Sequence, residues 1–201
     1  MRIEDGSGSG FSAKVDSSKR IHTDSVTFAR AEQETELGNA YNINTGTINL
    51  TTANESGVLY VKNDEEFPLV IESLFYMWTD STGGSGDYVI TVCQNPTGGT
   101  LISNATVADV AGVNRNFGSS NTLGTGTLVY KGAEGSTVTG GTDTIISIFN
   151  EGARREVLKV GDIVVPKGSS FAIKCDPPAS NTSVNVMFAA SVFIDTLQDL
   201  T

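Results

Sequence analysis

Hydrophobic and polar residues alternate with a period of two along most of the chain after residue 38. Segment 40–51 alternates around an Asn-Thr-Gly turn, and 57–79 contains a strand, an acidic turn and a long strand. We predict further strands at the following positions: 87–95, Leu128–Lys131, Thr144–Phe149, Glu156–Val160, Asp162–Val165, Ser170–Cys175 and Val184–Ile194. About ten strands separated by short turns indicate an all-β sandwich or barrel.

The first part of the chain has a different composition. Residues 1–22 are rich in Gly and Ser and contain little to bury, so we expect a flexible N-terminal arm, followed by a single domain over residues 23–201. One short helix is predicted over Asp24–Leu37, because Asp24 suits the N-cap and Gly38 suits the position after the last turn.

Two long strands are apolar on both faces. In Phe67–Thr79, simple alternation places Phe67, Leu69, Ile71, Phe75 and Met77 on one face and Val70, Leu74, Tyr76 and Trp78 on the other. Segment Val184–Ile194 shows the same property. A second apolar face must be covered, either by the arm and helix or by another copy of the protein. Since Tyr and Trp are enriched in interface cores, we predict a homo-oligomer whose interface contains Val70, Leu74, Tyr76 and Trp78.

Composition restricts the class of protein. With 201 residues, 38% hydrophobic and 18% charged, the chain is long enough for one folded domain with a core. The net charge of −10 disfavours a nucleic-acid partner. No run of residues is long and apolar enough for a membrane-spanning helix, so we also expect no membrane partner.

The chain is poor in residues that carry catalysis or bind metals. His22 is the one histidine, and Cys93 and Cys175 each fall in a strand pattern, where we expect free thiols; a disulfide between them stays open. No zinc-ligand spacing, calcium-loop order or nucleotide-binding glycine motif is present, so we predict no metal and no cofactor.

One acidic residue interrupts an apolar strand. Glu72 lies in the long strand after Glu65 and Glu66, and we interpret it as part of a salt bridge at a sheet edge or at an interface. A carboxylate-dependent hydrolase is the alternative. We predict that the protein is not an enzyme.

Segment 114–141 is rich in Gly, Thr, Ser and Asn around one strand. Such segments typically form loops at the rim of a β-sandwich, where they contact partners.

Several segments resemble small virion proteins of tailed bacteriophages: NPTGGTLISNA (95–105), NRNFGSSNTL (114–123), YKGAEGSTVTGG (130–141) and LKVGDIVVPKGSSFAIKCDPPASN (158–181). The resemblance covers about residues 38–195. It implies a jelly-roll-like sandwich that is made in the bacterial cytoplasm and decorates or cements the capsid surface, as a homotrimer bound to the major capsid protein. It also implies capsid contacts by the arm, with Lys14, Lys19 and Arg20 as candidates.

A carbohydrate-binding or receptor-binding module of a phage fibre is the alternative. Sugars stack on exposed aromatic rings, and Tyr76, Trp78, Tyr88 and Phe117 are the candidates for such contacts.

Overall fold

Strands make up most of the part of the chain that the structure describes. The computed structural model describes residues 2–4, 12–14, 30–52, 54–80, 86–103, 108–150, 154–158, 163–179 and 183–196. Its elements are β1 (Arg2–Glu4), β2 (Ser12–Lys14), α1 (Arg30–Glu36), β3 (Ala40–Asn44), β4 (Ile48–Leu50), β5 (Ser56–Asn63), β6 (Leu69–Asp80), β7 (Asp87–Gln94), β8 (Ala108–Asp109), β9 (Val113–Asn114), β10 (Thr127–Lys131), β11 (Thr142–Asn150), β12 (Arg154–Leu158), β13 (Ile163–Val165), β14 (Ser170–Asp176) and β15 (Val184–Ile194). The predicted all-β class with one short helix is confirmed.

The strands form two antiparallel sheets that pack face to face. The first sheet has the order β11-β7-β14-β5-β10-β8, and the second has the order β12-β6-β15-β3-β9, with β13 paired to β6 and β4 paired to β15. From β3 to β15 the chain crosses from one sheet to the other at most steps, and it stays in the same sheet only at β3–β4, β7–β8, β10–β11 and β12–β13. This strand order is that of a jelly roll.

Alternating burial places one face of each sheet in the interior. In β3, Tyr41 and Ile43 are buried whereas Asn42 and Asn44 are exposed. The β3–β4 turn is closed by the Asn44 side chain, which accepts a 2.7 Å hydrogen bond from the amide of Gly46, a residue with a positive φ of 62°. A hydrogen bond from the backbone to an Asn side chain two residues earlier, and a Gly with positive φ, are both typical of such a turn, so they account for the predicted Asn-Thr-Gly turn.

A β-bulge in β6 changes which residues face the interior. Ser191 of β15 pairs with Ser73, but the next residue, Val192, pairs with Ile71, so Glu72 is the extra residue. The alternation therefore reverses at Glu72, because a bulge adds one residue to one strand. Leu69 and Ile71 point inward before the bulge, and the inward residues after it are Leu74, Tyr76 and Trp78.

The four residues predicted to form a subunit interface are buried within a single chain. Leu74, Tyr76 and Trp78 are part of the main core between the sheets of a single chain. Val70 lies on the outer face, but it is buried in a small cluster with Ala40, Phe193 and Ala31 of α1. None of these four side chains is accessible to a second copy. The sequence prediction was wrong because it assumed unbroken alternation.

Helix α1 begins at Arg30 in the described residues, and the predicted start at 24–29 lies outside them. Its end matches the prediction. The amide of Gly38 donates to the carbonyl of Thr35 and the amide of Asn39 donates to that of Glu34, with Gly38 at φ 77°. These two bonds form a Schellman motif.

Buried polar groups attach α1 to the end of β15. The Glu34 carboxylate is fully buried and accepts hydrogen bonds from the Asn39 amide group and from both the backbone amide and the hydroxyl of Thr196. Arg30 forms a 2.8 Å ion pair with buried Asp195. The helix therefore covers one end of the outer face of the second sheet. The sequence analysis named the helix, together with the arm, as one of two possible covers for an apolar outer face.

The long connection between β7 and β11 covers the outer face of the first sheet. Leu101 from this connection packs with Tyr60, Cys93 and Ala172, which point outward from the sheet, and Val138 packs against the same cluster. The outer face of the first sheet is therefore sealed by its own chain.

The proposed arm, residues 1–22, lies mostly outside the described residues. Within it, β1 and β2 pair antiparallel, a hairpin that the sequence analysis did not predict.

Candidate interaction surface

The outer face of the second sheet is apolar beyond the part that α1 covers. Met187 lies opposite Met77, and Ala189 lies opposite Phe75, on the central strands β15 and β6. All four side chains are only partly buried. We call these four residues the open strip. The open strip therefore keeps part of its apolar surface accessible to solvent.

A shallow depression lies beside the open strip. Small side chains from β6 and β15, Ser73, Ala189 and Ser191, adjoin the larger Phe75 and the exposed Asn42 of β3. The depression is shallow, and its empty volume of about 330 Å³ includes space that is continuous with bulk solvent. No charged side chain lines it.

An ion pair separates the depression from the covered end of the face. Nη1 of Arg115, which follows β9, lies 2.6 Å from Oε2 of Glu72 at the bulge. Since β3 and β15 lie between β9 and β6, the pair crosses the outer face of the sheet. Glu72 therefore forms a salt bridge, as interpreted, but the pair lies within the chain and β6 has strand neighbours on both sides, so it is not at an edge or a subunit interface.

A hydrogen-bonded loop, residues 114–121, projects beside this face; we call it the Phe117 loop. The Asn114 side chain donates to the carbonyl of Gly38 at 2.8 Å and accepts from the amide of Asn116 at 2.8 Å. The Asn116 side chain donates to the carbonyl of Glu36 and accepts from the amide of Gly118, each at 3.0 Å. These bonds hold the loop in one conformation against the end of α1.

The tip of this loop is apolar and exposed. Phe117 has 94% of its surface accessible, and Leu37 and Val113 nearby are also exposed. A large exposed ring on a hydrogen-bonded loop loses little conformational freedom when it binds a partner, as is typical of an interface anchor.

The aromatic residues considered for sugar binding do not form a surface. Tyr76, Trp78 and Tyr88 are fully buried, and Trp78 packs edge to face on Tyr88 with ring centroids 4.8 Å apart. Phe117 alone is exposed. Sequence reasoning assigned Phe117 to sugar stacking and missed its place beside the open strip, because the contact between the Phe117 loop and α1 is non-local.

The arm candidates are not brought to this surface by the described residues. Lys14 is the last residue of β2, and Lys19, Arg20 and His22 lie outside the described residues.

A buried lysine on the first sheet has two acidic partners. Nζ of Lys174 lies 2.7 Å from Oδ2 of Asp143 and 3.1 Å from Oε1 of Glu55. The hydrogen bond from Lys174 lowers the pKa of Asp143, against the effect of burial. Burial lowers the pKa of Lys174, but the bonds to Asp143 and Glu55 outweigh it and leave the pKa raised. The cluster therefore keeps its charges, which suits a structural role better than proton transfer.

Both cysteines are buried free thiols, as predicted. Burial and, to a smaller extent, hydrogen bonding to Asp143 raise the pKa of Cys93 to about 11. Burial also raises the pKa of Cys175 well above its ordinary value. Because thiolates are the reactive form, neither thiol is suited to nucleophilic chemistry near neutral pH.

Among the described residues, no three His, Cys, Asp or Glu side chains come together as a metal site, and no helix is long and apolar enough to cross a membrane. The candidate interaction surface consists of the open strip, the depression and the Phe117 loop.

No family model matches the chain, and no curated protein or solved structure matches it.

Proposed function

We propose that the chain is a non-enzymatic structural protein of a tailed-bacteriophage virion, which decorates or stabilises the capsid as a homotrimer bound to the major capsid protein. The observation that carries the proposal is the presence of partly exposed apolar side chains on the open strip together with the exposed Phe117. A body with net charge −10 that leaves such a surface open is suited to assembly with other proteins.

The fold and the resemblance add support of a weaker kind. Jelly rolls occur in viral capsid and lectin domains, among others, so the fold permits the proposed role without specifying it. The four segments quoted above resemble phage virion proteins, and this resemblance selects the virion from the functions that a jelly roll can serve.

The arm supplies the proposed capsid contact. Residues 1–20 carry four basic and three acidic side chains, whereas the rest of the chain is strongly acidic. Lys14, Lys19 and Arg20 would meet acidic patches on assembled capsid subunits. Three simultaneous arm contacts from one trimer strengthen binding by avidity even when each contact is weak.

Co-sedimentation with assembled capsids tests the proposal. The wild-type chain is expected to pellet with capsids and to leave isolated capsid subunits unbound. A charge-reversed arm, with Lys14→Glu, Lys19→Glu and Arg20→Glu, is expected to lose at least about tenfold in affinity. The matched control reverses three lysines of the sandwich, Lys62, Lys131 and Lys167. Equal binding to capsids and to isolated subunits, or no binding to either, would contradict the proposal.

The glycan-binding alternative is not proposed here, because three of its four aromatic residues lie in the core.

A further inference from the structure

We draw no further inference here: the strongest candidate, the apolar outer face of the second sheet formed by the open strip, the depression and the Phe117 loop, carries nothing because no contact among the described residues shows what covers it.

Discussion

Arg115 and Glu72 form an ion pair 2.6 Å long that connects the Phe117 loop to the bulge of β6. The two residues are 43 positions apart in the chain, and two strands separate them in the sheet. Glu72, the extra residue in β6, is therefore also the residue that holds the Phe117 loop. The bulge thus determines which side chains of β6 face the core, and it positions Phe117.

A double-mutant cycle measures the strength of this pair. Arg115→Gln, Glu72→Gln and the double variant are expected to give a coupling energy of about 0.5–1 kcal/mol in urea unfolding. The value is small because the side chains are 26% and 38% exposed, so water screens the charges. The control is the ion pair Lys62–Asp64, which has similar exposure and joins two residues close in the chain. Its removal should leave assembly unchanged. A coupling energy of zero would show that the pair does not hold the loop.

Replacing Gly38 by Ala is expected to lower the free energy of unfolding by about 2 kcal/mol or more. Its φ of 77° disfavours any side chain, and an added Cβ would also collide with the Ser119 hydroxyl of the Phe117 loop. Gly135→Ala separates the two causes, because Gly135 has a similar φ of 74° but no neighbour within 4 Å of an added Cβ. Chemical denaturation measures both variants. Equal losses would mean that the contact with Ser119 has no cost.

The core assignment of β6 predicts opposite outcomes for two adjacent residues. Trp78→Ala is expected to cost about 3–5 kcal/mol, because it empties a fully buried site between the sheets. Met77→Ala on the open strip is expected to cost about 1 kcal/mol or less in the monomer, since its side chain is only partly buried. Urea unfolding of the two variants checks this order, and a reversed order would mean that the bulge lies elsewhere.

The Lys174 cluster predicts a pH dependence. The pKa of Asp143 is lowered from 3.8 in the folded state, so its contribution to stability is present above that pH and is lost as the pH falls through the lower folded value. The raised pKa of Lys174 preserves its contribution until the pH rises past 10.5. At pH 7, Asp143→Asn is expected to lower the unfolding free energy by less than about 1 kcal/mol, because Asp143 is 51% exposed.

The difference between Asp143→Asn and the wild type should shrink as the pH falls below 3.8, because the wild-type carboxylate becomes protonated as the pH falls through its lowered folded pKa. Asp176→Asn, an exposed position on β14, is the control. Urea midpoints measured across the pH range give the comparison. A difference between Asp143→Asn and the wild type that is as large at pH 2 as at pH 7 would rule out this ion pair as its cause.

Local patterns were enough to predict most of the strands and the end of the helix. Val184–Ile194 was predicted with the bounds that the structure has, since it is a largely apolar run with polar Ser183 before it and Asp195 after it. Gly38 was placed correctly because a left-handed residue after a helix is a local requirement. Strands β8 and β9 were not predicted, because two residues each are too few to show a periodic pattern in the sequence.

The candidate surface was harder to predict, because it depends on a single bulge and on contacts distant in the chain. An extra residue in a strand leaves no mark on an apolar sequence, so Tyr76 and Trp78 were assigned to the outer face. Glu72 was the available clue, since a charged residue in an apolar strand suits a bulge as well as a salt bridge. The position of Phe117 follows from hydrogen bonds to α1, which alternation along a strand does not encode.

The two sheets end in ways that prevent aggregation through exposed strand edges. On one side they finish in β8 and β9, which have two residues each. On the other side the first sheet finishes in β11, whose register shifts between Ile145 and Ser147. Very short strands and irregular edges are poor templates for an incoming strand. Strand pairing between copies of the protein is therefore disfavoured at these three edges.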